Sequence, residues 1–197
     1  MSEQKEYTIA REGSHPAVLT RIVRLGMHNI PGYQGAPASD KPQIGFTWEL
    51  LDEKRDDDKP WEVRTFGMVG NINEYYSEKG KLTKFMTGSF PEYKLGNKNL
   101  EPYVGRNVIV NMIHKPSKDG TKMYANFGSV QAFPDFMPTP DDKPMGDIVF
   151  FDFYKPTRQA WDKLSTPEQE YILQARDYNG SKLADMLGAE HAESDDY

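Results

Sequence analysis

The residues of this chain that could do chemistry are scattered carboxylates and histidines on one side, lysines interleaved with aromatics on the other. The four histidines, His15, His28, His114 and His191, stand far apart and form no metal-ligand or nucleophile spacing. There is no cysteine and no Gly-rich loop ending in Lys-Ser/Thr, so thiolate chemistry and P-loop phosphate binding are excluded. Asp56–Asp58 could hold a divalent cation, but the run lacks the turn glycine and closing glutamate of a calcium loop. The second set is better organised. Lys115, Lys118 and Lys122 crowd a Pro-Ser-Lys-Asp-Gly turn, and Tyr124 and Phe127 follow it. Arg64, Lys79, Lys81, Lys84 and Arg106 add charge, and Tyr33, Trp61, Phe66, Tyr75 and Tyr76 add rings. Cations that follow a phosphate backbone, with aromatics on which bases stack, are the chemistry of single-stranded nucleic-acid binding, about 1–3 kcal/mol per stacked base. The same lysine-tipped turn also reads as an ordinary solvated loop. A chain of this size needs bulky filling, so part of the aromatic set belongs to a core. Tyr33, Tyr75 and Tyr76 sit beside loop-type residues and are expected to be exposed.

The elements that must position these groups read as strands. Arg106–Lys115 alternates, with Val108, Val110 and Met112 on one side and Ile109 and Ile113 on the other. Asp119-Gly120 supplies hairpin-turn chemistry, and Lys122–Phe133 returns with Tyr124, Asn126 and Val130 opposite Met123, Ala125 and Phe127. Upstream, His15–Leu25 is a first strand closed by Gly26, and Met27–Lys41 is a long Pro/Gly loop carrying Tyr33. Gln43–Leu51 places Ile44, Phe46, Trp48 and Leu50 on one face, which assigns Trp48 to a core. Asp52–Lys59 is a charged turn, and Trp61–Ile72 a third strand with two glycines that suggest a bend. Within Ser77–Phe90, Leu82, Phe85 and Met86 follow helical spacing, with the lysines mostly outside that stripe.

This order, three strands, a helix and two strands, is that of the OB-fold, a five-stranded Greek-key barrel. A mainly β chain with a barrel over residues 14–133 is therefore expected, after a frayed segment 1–13. Residues 134–147 read as a Pro/Asp-rich linker and 148–187 as an arm, with strand-like DIVFFDFY at Asp147–Tyr154. The arm is apolar enough to dock on the barrel or on a neighbouring copy, so self-association is open. Thr166-Pro167-Glu168-Gln169 reads as a capped helix start with Thr166 as cap, and Asn179-Gly180 as the helix end. Residues 188–197, acidic and without core-formers, are expected to be disordered.

The chain has 197 residues and a net charge of −6, but the charge is segregated. Residues 59–131 hold 11 basic against 6 acidic side chains, and residues 132–197 hold 6 against 14. A basic body with an acidic end suits a polyanion binder whose tail competes or recruits. No run of eighteen apolar residues is present and the N-terminus lacks the apolar core of a signal peptide, so no membrane partner is expected. With no cysteine, a reducing, cytoplasmic setting is expected.

The stretches LTRIVRLG (Leu19–Gly26), IGFTWEL (Ile44–Leu50) and VGRNVIVNMIHKPSKDGTKMYANFGSV (Val104–Val130), with DIVFFDF and a later ARDY (Ala175–Tyr178), resemble the single-stranded DNA-binding proteins of tailed bacteriophages. The resemblance implies an OB-fold that coats single strands without a strict sequence rule during phage replication or recombination, in the host bacterial cytoplasm. It also implies an acidic C-terminus, here Asp195, Asp196 and Tyr197, that engages replication or recombination proteins. Neither catalysis nor a cofactor is expected. Two other readings stay open: a metal-dependent nuclease built on Asp56–Asp58, and a protein–protein adaptor without DNA affinity.

Overall fold

The computed structural model describes residues 8–32, 35–64, 72–138, 140 and 143–194, with side chains to residue 188. Among the described residues the chain is mainly β: seven strands in one open, largely antiparallel sheet, with four α-helices. Its spine is β1 (Gly13–Ile30), paired with β2 (Ser39–Lys54) along one edge. The other edge of β1 is shared. Its first third pairs with β5 (Asn107–Pro116), and Arg21–Val23 pair in parallel with β7 (Val149–Phe151). β3 (Pro60–Arg64) and the short β4 (Ile72–Asn73) line the outer edge of β2, and β6 (Met123–Ala132) pairs with β5. The main path is therefore β3-β2-β1-β5-β6.

The alternation read in the second strand holds. Ile44, Phe46, Trp48 and Leu50 enter the main core with Leu19, Ile22, Val108, Val110 and Met112. Helix α1 (Lys81–Ser89) is shorter than the expected segment and inserts Leu82 and Met86 into that core, with Phe85 packed at its margin. Three rings, Trp48, Phe85 and Phe127, lie within about 6 Å of one another.

Several boundaries differ from the sequence reading. The first strand does not stop at Gly26: a register shift there, at φ +81°, lets it continue to Ile30. Met27–Lys41 is accordingly no long loop. Met27–Ile30 and Ser39–Pro42 pair as a ribbon. Of the third strand, residues 65–71 lie outside the described residues, Phe66 among them. In the hairpin, Gly128 is an extra residue between the pairs Asn111↔Ser129 and Met112↔Phe127. A bulge of one residue reverses the alternation, so Ala125, Phe127 and Val130 share the core side.

The second face of β2 is not a solvent face. Gln43, Thr47 and Glu49 are buried beside it, and the Glu49 carboxylate accepts the backbone N–H groups of Met145 (2.6 Å) and Gly146 (2.9 Å). The segment read as a linker is thus pinned to the sheet at its end. Beyond it, β7, α2 (Arg158–Trp161), α3 (Thr166–Leu173) and α4 (Lys182–Ser194) build a second core. Phe151, Phe153, Trp161, Ile172 and Leu183 pack there on Val23 and Leu25 of β1. At Gly26 the arm comes close to β1: a side chain there would meet Ala175 Cβ at 2.9 Å. The helix cap is one residue earlier than expected. Ser165 N–H and Oγ both donate to Glu168 Oε2 at 2.7 Å, and α3 ends at Leu173, well before Asn179-Gly180. The acidic end is helical to Ser194, where disorder was expected from residue 188, and residues 195–197 lie outside the described residues.

Candidate nucleic-acid interface

The β5–β6 turn that carries the lysines is fixed by hydrogen bonds of its own. Asp119 Oδ1 accepts from Ser117 Oγ (2.5 Å), Thr121 N (3.1 Å) and Thr121 Oγ1 (2.8 Å), while Ser117 N–H donates to the Lys122 carbonyl at 2.7 Å. Gly120 takes the positive φ (+71°) that closes the turn. These hydrogen bonds, first of all that from the Ser117 hydroxyl, hold the Asp119 carboxyl down to about 2. The one carboxylate among the tip lysines is therefore spent on turn geometry. Lys115, Lys118 and Lys122 are exposed, and none has an ion-pair partner among the described residues. Tyr124, opposite Lys115 in the register, is 51% exposed.

Helix α1 brings the second group of cations. Phe85 packs on Phe127, and a side chain at Gly88 would lie 3.7 Å from the Val130 carbonyl, so α1 advances along β6 in the same direction. Its first turns, with exposed Lys81 and Lys84, consequently lie toward the hairpin tip. Exposed Lys79 and Tyr75 (45%) precede the helix. Lys79, Lys81 and Lys84 are likewise free of ion pairs among the described residues.

Other expected site residues are committed elsewhere. Phe127 is stacked on Trp48 (5.1 Å, 12°) and belongs with the core, because the Gly128 bulge turns it inward. Trp61 is half-buried against the same core. Arg64 is ion-paired with Glu62, and Arg106 with Glu92 at 3.0 Å. Tyr76 is not a free ring of the kind expected: it is half-buried, its hydroxyl donates to Glu74 at 2.6 Å and accepts from Arg24 at 2.9 Å. Tyr33, Phe66, Asp195, Asp196 and Tyr197 lie outside the described residues.

That Tyr76 contact opens onto a feature that sequence reasoning missed. Arg24, on β1, donates to Glu74 (2.7 Å), Asp152 (2.7 Å) and the Lys98 carbonyl (2.6 Å). Burial works against its charge, but Glu74, Tyr76 and Asp152 more than offset this and hold its pKa above the ordinary arginine value. Burial, and then Glu74, push the Tyr76 hydroxyl upward. Above this network lies a cleft of about 760 Å³ between the sheet and the arm, lined in part by Lys98, Asn99, Tyr154 and Lys155. The only signal in the sequence was two breaks in the apolar pattern of the first strand, at Arg21 and Arg24, which a one-sided strand would not place there.

His15, His28 and His114 have structural partners. His15 bridges Asp52 and the Arg11 carbonyl, both at 2.9 Å, and His114 meets the Ala10 carbonyl at 2.8 Å. His28 stacks on Tyr171 at 4.0 Å. Among the described residues no group of three or more His, Asp or Glu is placed to hold a metal, and no helix is long and apolar enough to cross a membrane. No family model matches the chain, and no curated protein matches it.

Proposed function

We propose that the protein binds single-stranded DNA with little sequence preference. The observation that carries this reading is the set of unpaired lysines on a rigid hairpin tip and along α1, beside the exposed rings of Tyr75 and Tyr124. Phosphates would run past the lysines while bases stack on the rings, which is how sequence-tolerant binders gain affinity. The strand path β3-β2-β1-β5-β6, with α1 ahead of β5, agrees with the order of a five-stranded OB barrel closing between the β3–β4 edge and β6. In this reading the acidic end, with Asp195, Asp196 and Tyr197, recruits replication or recombination proteins. The adaptor reading has one observation in its favour, the exposed apolar side chains of Phe136 (87%), Met145 and Ile148.

Fluorescence anisotropy of a labelled oligo-dT, titrated with the full chain at rising salt, tests the proposal. Binding at low salt that weakens steeply with salt, and that far exceeds binding of a duplex, is the expected result. An oligonucleotide that stays free at low salt sinks the reading in favour of an adaptor. Magnesium-dependent shortening of the oligonucleotide would point instead to a nuclease.

A further inference from the structure

We infer that the cleft between the sheet and the arm is a nucleotide subsite, taking one base and its phosphate from a bound single strand. This rests on the single-strand reading above and extends it: the arm becomes part of the binding surface rather than a mere cover for β1.

The volume, about 760 Å³, falls within the range of small-ligand pockets, roughly 300–1,000 Å³. Charge is separated across the cleft. At the floor, Arg24 engages the two mostly buried carboxylates, Glu74 and Asp152, and offsets one of their two charges. At the rim, Lys98 and Lys155 are exposed and make no ion pair among the described residues, beside one exposed carboxylate, Glu101. A phosphate would therefore sit at the rim, against the two ammonium groups, and not at the floor.

The rings supply the second half of the argument. Tyr154 is 42% exposed, yet its position is constrained: its ring meets Phe153 edge-on at 5.2 Å, and its backbone N–H donates to Asp152 Oδ1 at 2.9 Å. A ring held in place while partly open to solvent loses little entropy when a base stacks on it. Asn99 adds a side-chain amide with no hydrogen-bond partner among the described residues, able to donate to and accept from a base edge. A planar heterocycle bearing a phosphate satisfies ring, amide and ammonium together. The cleft also joins the interface already described. Tyr76 lines it, Tyr75 is the next residue along, and Lys98 Nζ stands 6.0 Å from the Tyr76 ring centre.

The test uses the full chain and three variants, Tyr154→Ala, Lys155→Ala and the triple Lys115→Ala/Lys118→Ala/Lys122→Ala. Each is titrated with labelled oligo-dT, and the wild type is also photocrosslinked to an oligonucleotide carrying 5-iodouracil. Tyr154→Ala should weaken binding about tenfold, the loss of one stacked base. Lys155→Ala should lower the salt slope by about 0.7, one phosphate contact. Crosslinks should appear in the peptide containing Tyr154. If Tyr154→Ala proves to melt at a lower temperature, the exposed Lys155 variant and the crosslink decide the matter. Wild-type affinity and slope in both arm variants, with crosslinks confined to the hairpin and α1, would overturn the subsite. A weakened triple-lysine variant in that same experiment leaves the single-strand reading standing. A wild type that binds no oligonucleotide overturns both.

Discussion

Trp48 touches Phe46, Phe85 and Phe127, with ring centres 5.1–6.1 Å away, and is almost wholly buried. With Phe85 it links β2, α1 and β6. Trp48→Ala should cost about 3–5 kcal/mol in a urea unfolding experiment, the usual loss for a large aromatic removed from a core. A loss under 1 kcal/mol would mean that the aromatic cluster does not hold the sheet to α1. His28 makes a different kind of contribution. Burial lowers its pKa from the ordinary 6.5, against the pull of the Leu25 carbonyl and of Asp177. The folded state therefore binds its proton less readily than the unfolded chain. Its contribution to stability is full above about pH 6.5 and is lost as pH falls through the depressed folded value. An NMR titration should find the neutral form of His28 in excess at pH 6.5, and melting temperature should fall on acidification below that. A His28 midpoint at or above 6.5 contradicts this account.

At the scale of elements, the arm is fastened to β1 by charge as well as by apolar packing. Arg21, mostly buried, donates to Glu168 at 2.9 Å, and the same carboxylate caps α3 through Ser165. Glu168 is 2% exposed. Glu168→Ala would leave Arg21 without its counter-charge and remove the cap at once, so a destabilisation of about 3–5 kcal/mol is expected. Because the second core rests on this contact, protease cleavage should begin in the arm of that variant, at sites between 155 and 181. A variant that resists protease as the wild type does would show that apolar packing alone holds the arm. The hairpin tip is an independent unit: its hydrogen bonds run among Ser117, Asp119, Thr121 and Lys122.

For the whole molecule, the sum of charges misleads and their placement informs. The chain carries −6 overall, but many of its basic side chains differ in what they face. Arg21, Arg24, Arg64 and Arg106 are each answered by a carboxylate, whereas the tip and α1 lysines are not. Lysines that neutralise phosphates release counterions, so replacing Lys115, Lys118 and Lys122 by Ala together should flatten the logarithmic salt dependence of single-strand binding by about two. Melting temperature should be unchanged, since all three are exposed. A slope identical to that of the wild type would place the binding surface elsewhere.

Much of the sheet was legible in the sequence, because burial writes a period of two onto a strand. Ile44, Phe46, Trp48 and Leu50 were assigned to the core by that period and are found there, and Val108, Val110 and Met112, read only as sharing one side of their strand, share that core. The turn at Asp119-Gly120 was legible because only certain residues tolerate its backbone. What the sequence could not carry was any feature made by partners distant along the chain. Gly26 reads locally as a stop, yet it is a close approach to Ala175. Gly128 turns Phe127 and Val130 to one side through a bulge that exists only in the pairing with Asn111 and Met112. Gln43, Thr47 and Glu49 alternate like a solvent face and are buried, Glu49 under a segment nearly 100 positions away. Glu74 and Asp152 lie 50 and 128 positions from Arg24 and reach it only through the pairing of β4 with β2 and of β7 with β1. Local pattern fixes which residues favour strand, turn or helix; the cleft, the doubly covered sheet and the division of cations into paired and free are set by long-range contacts that no short window contains.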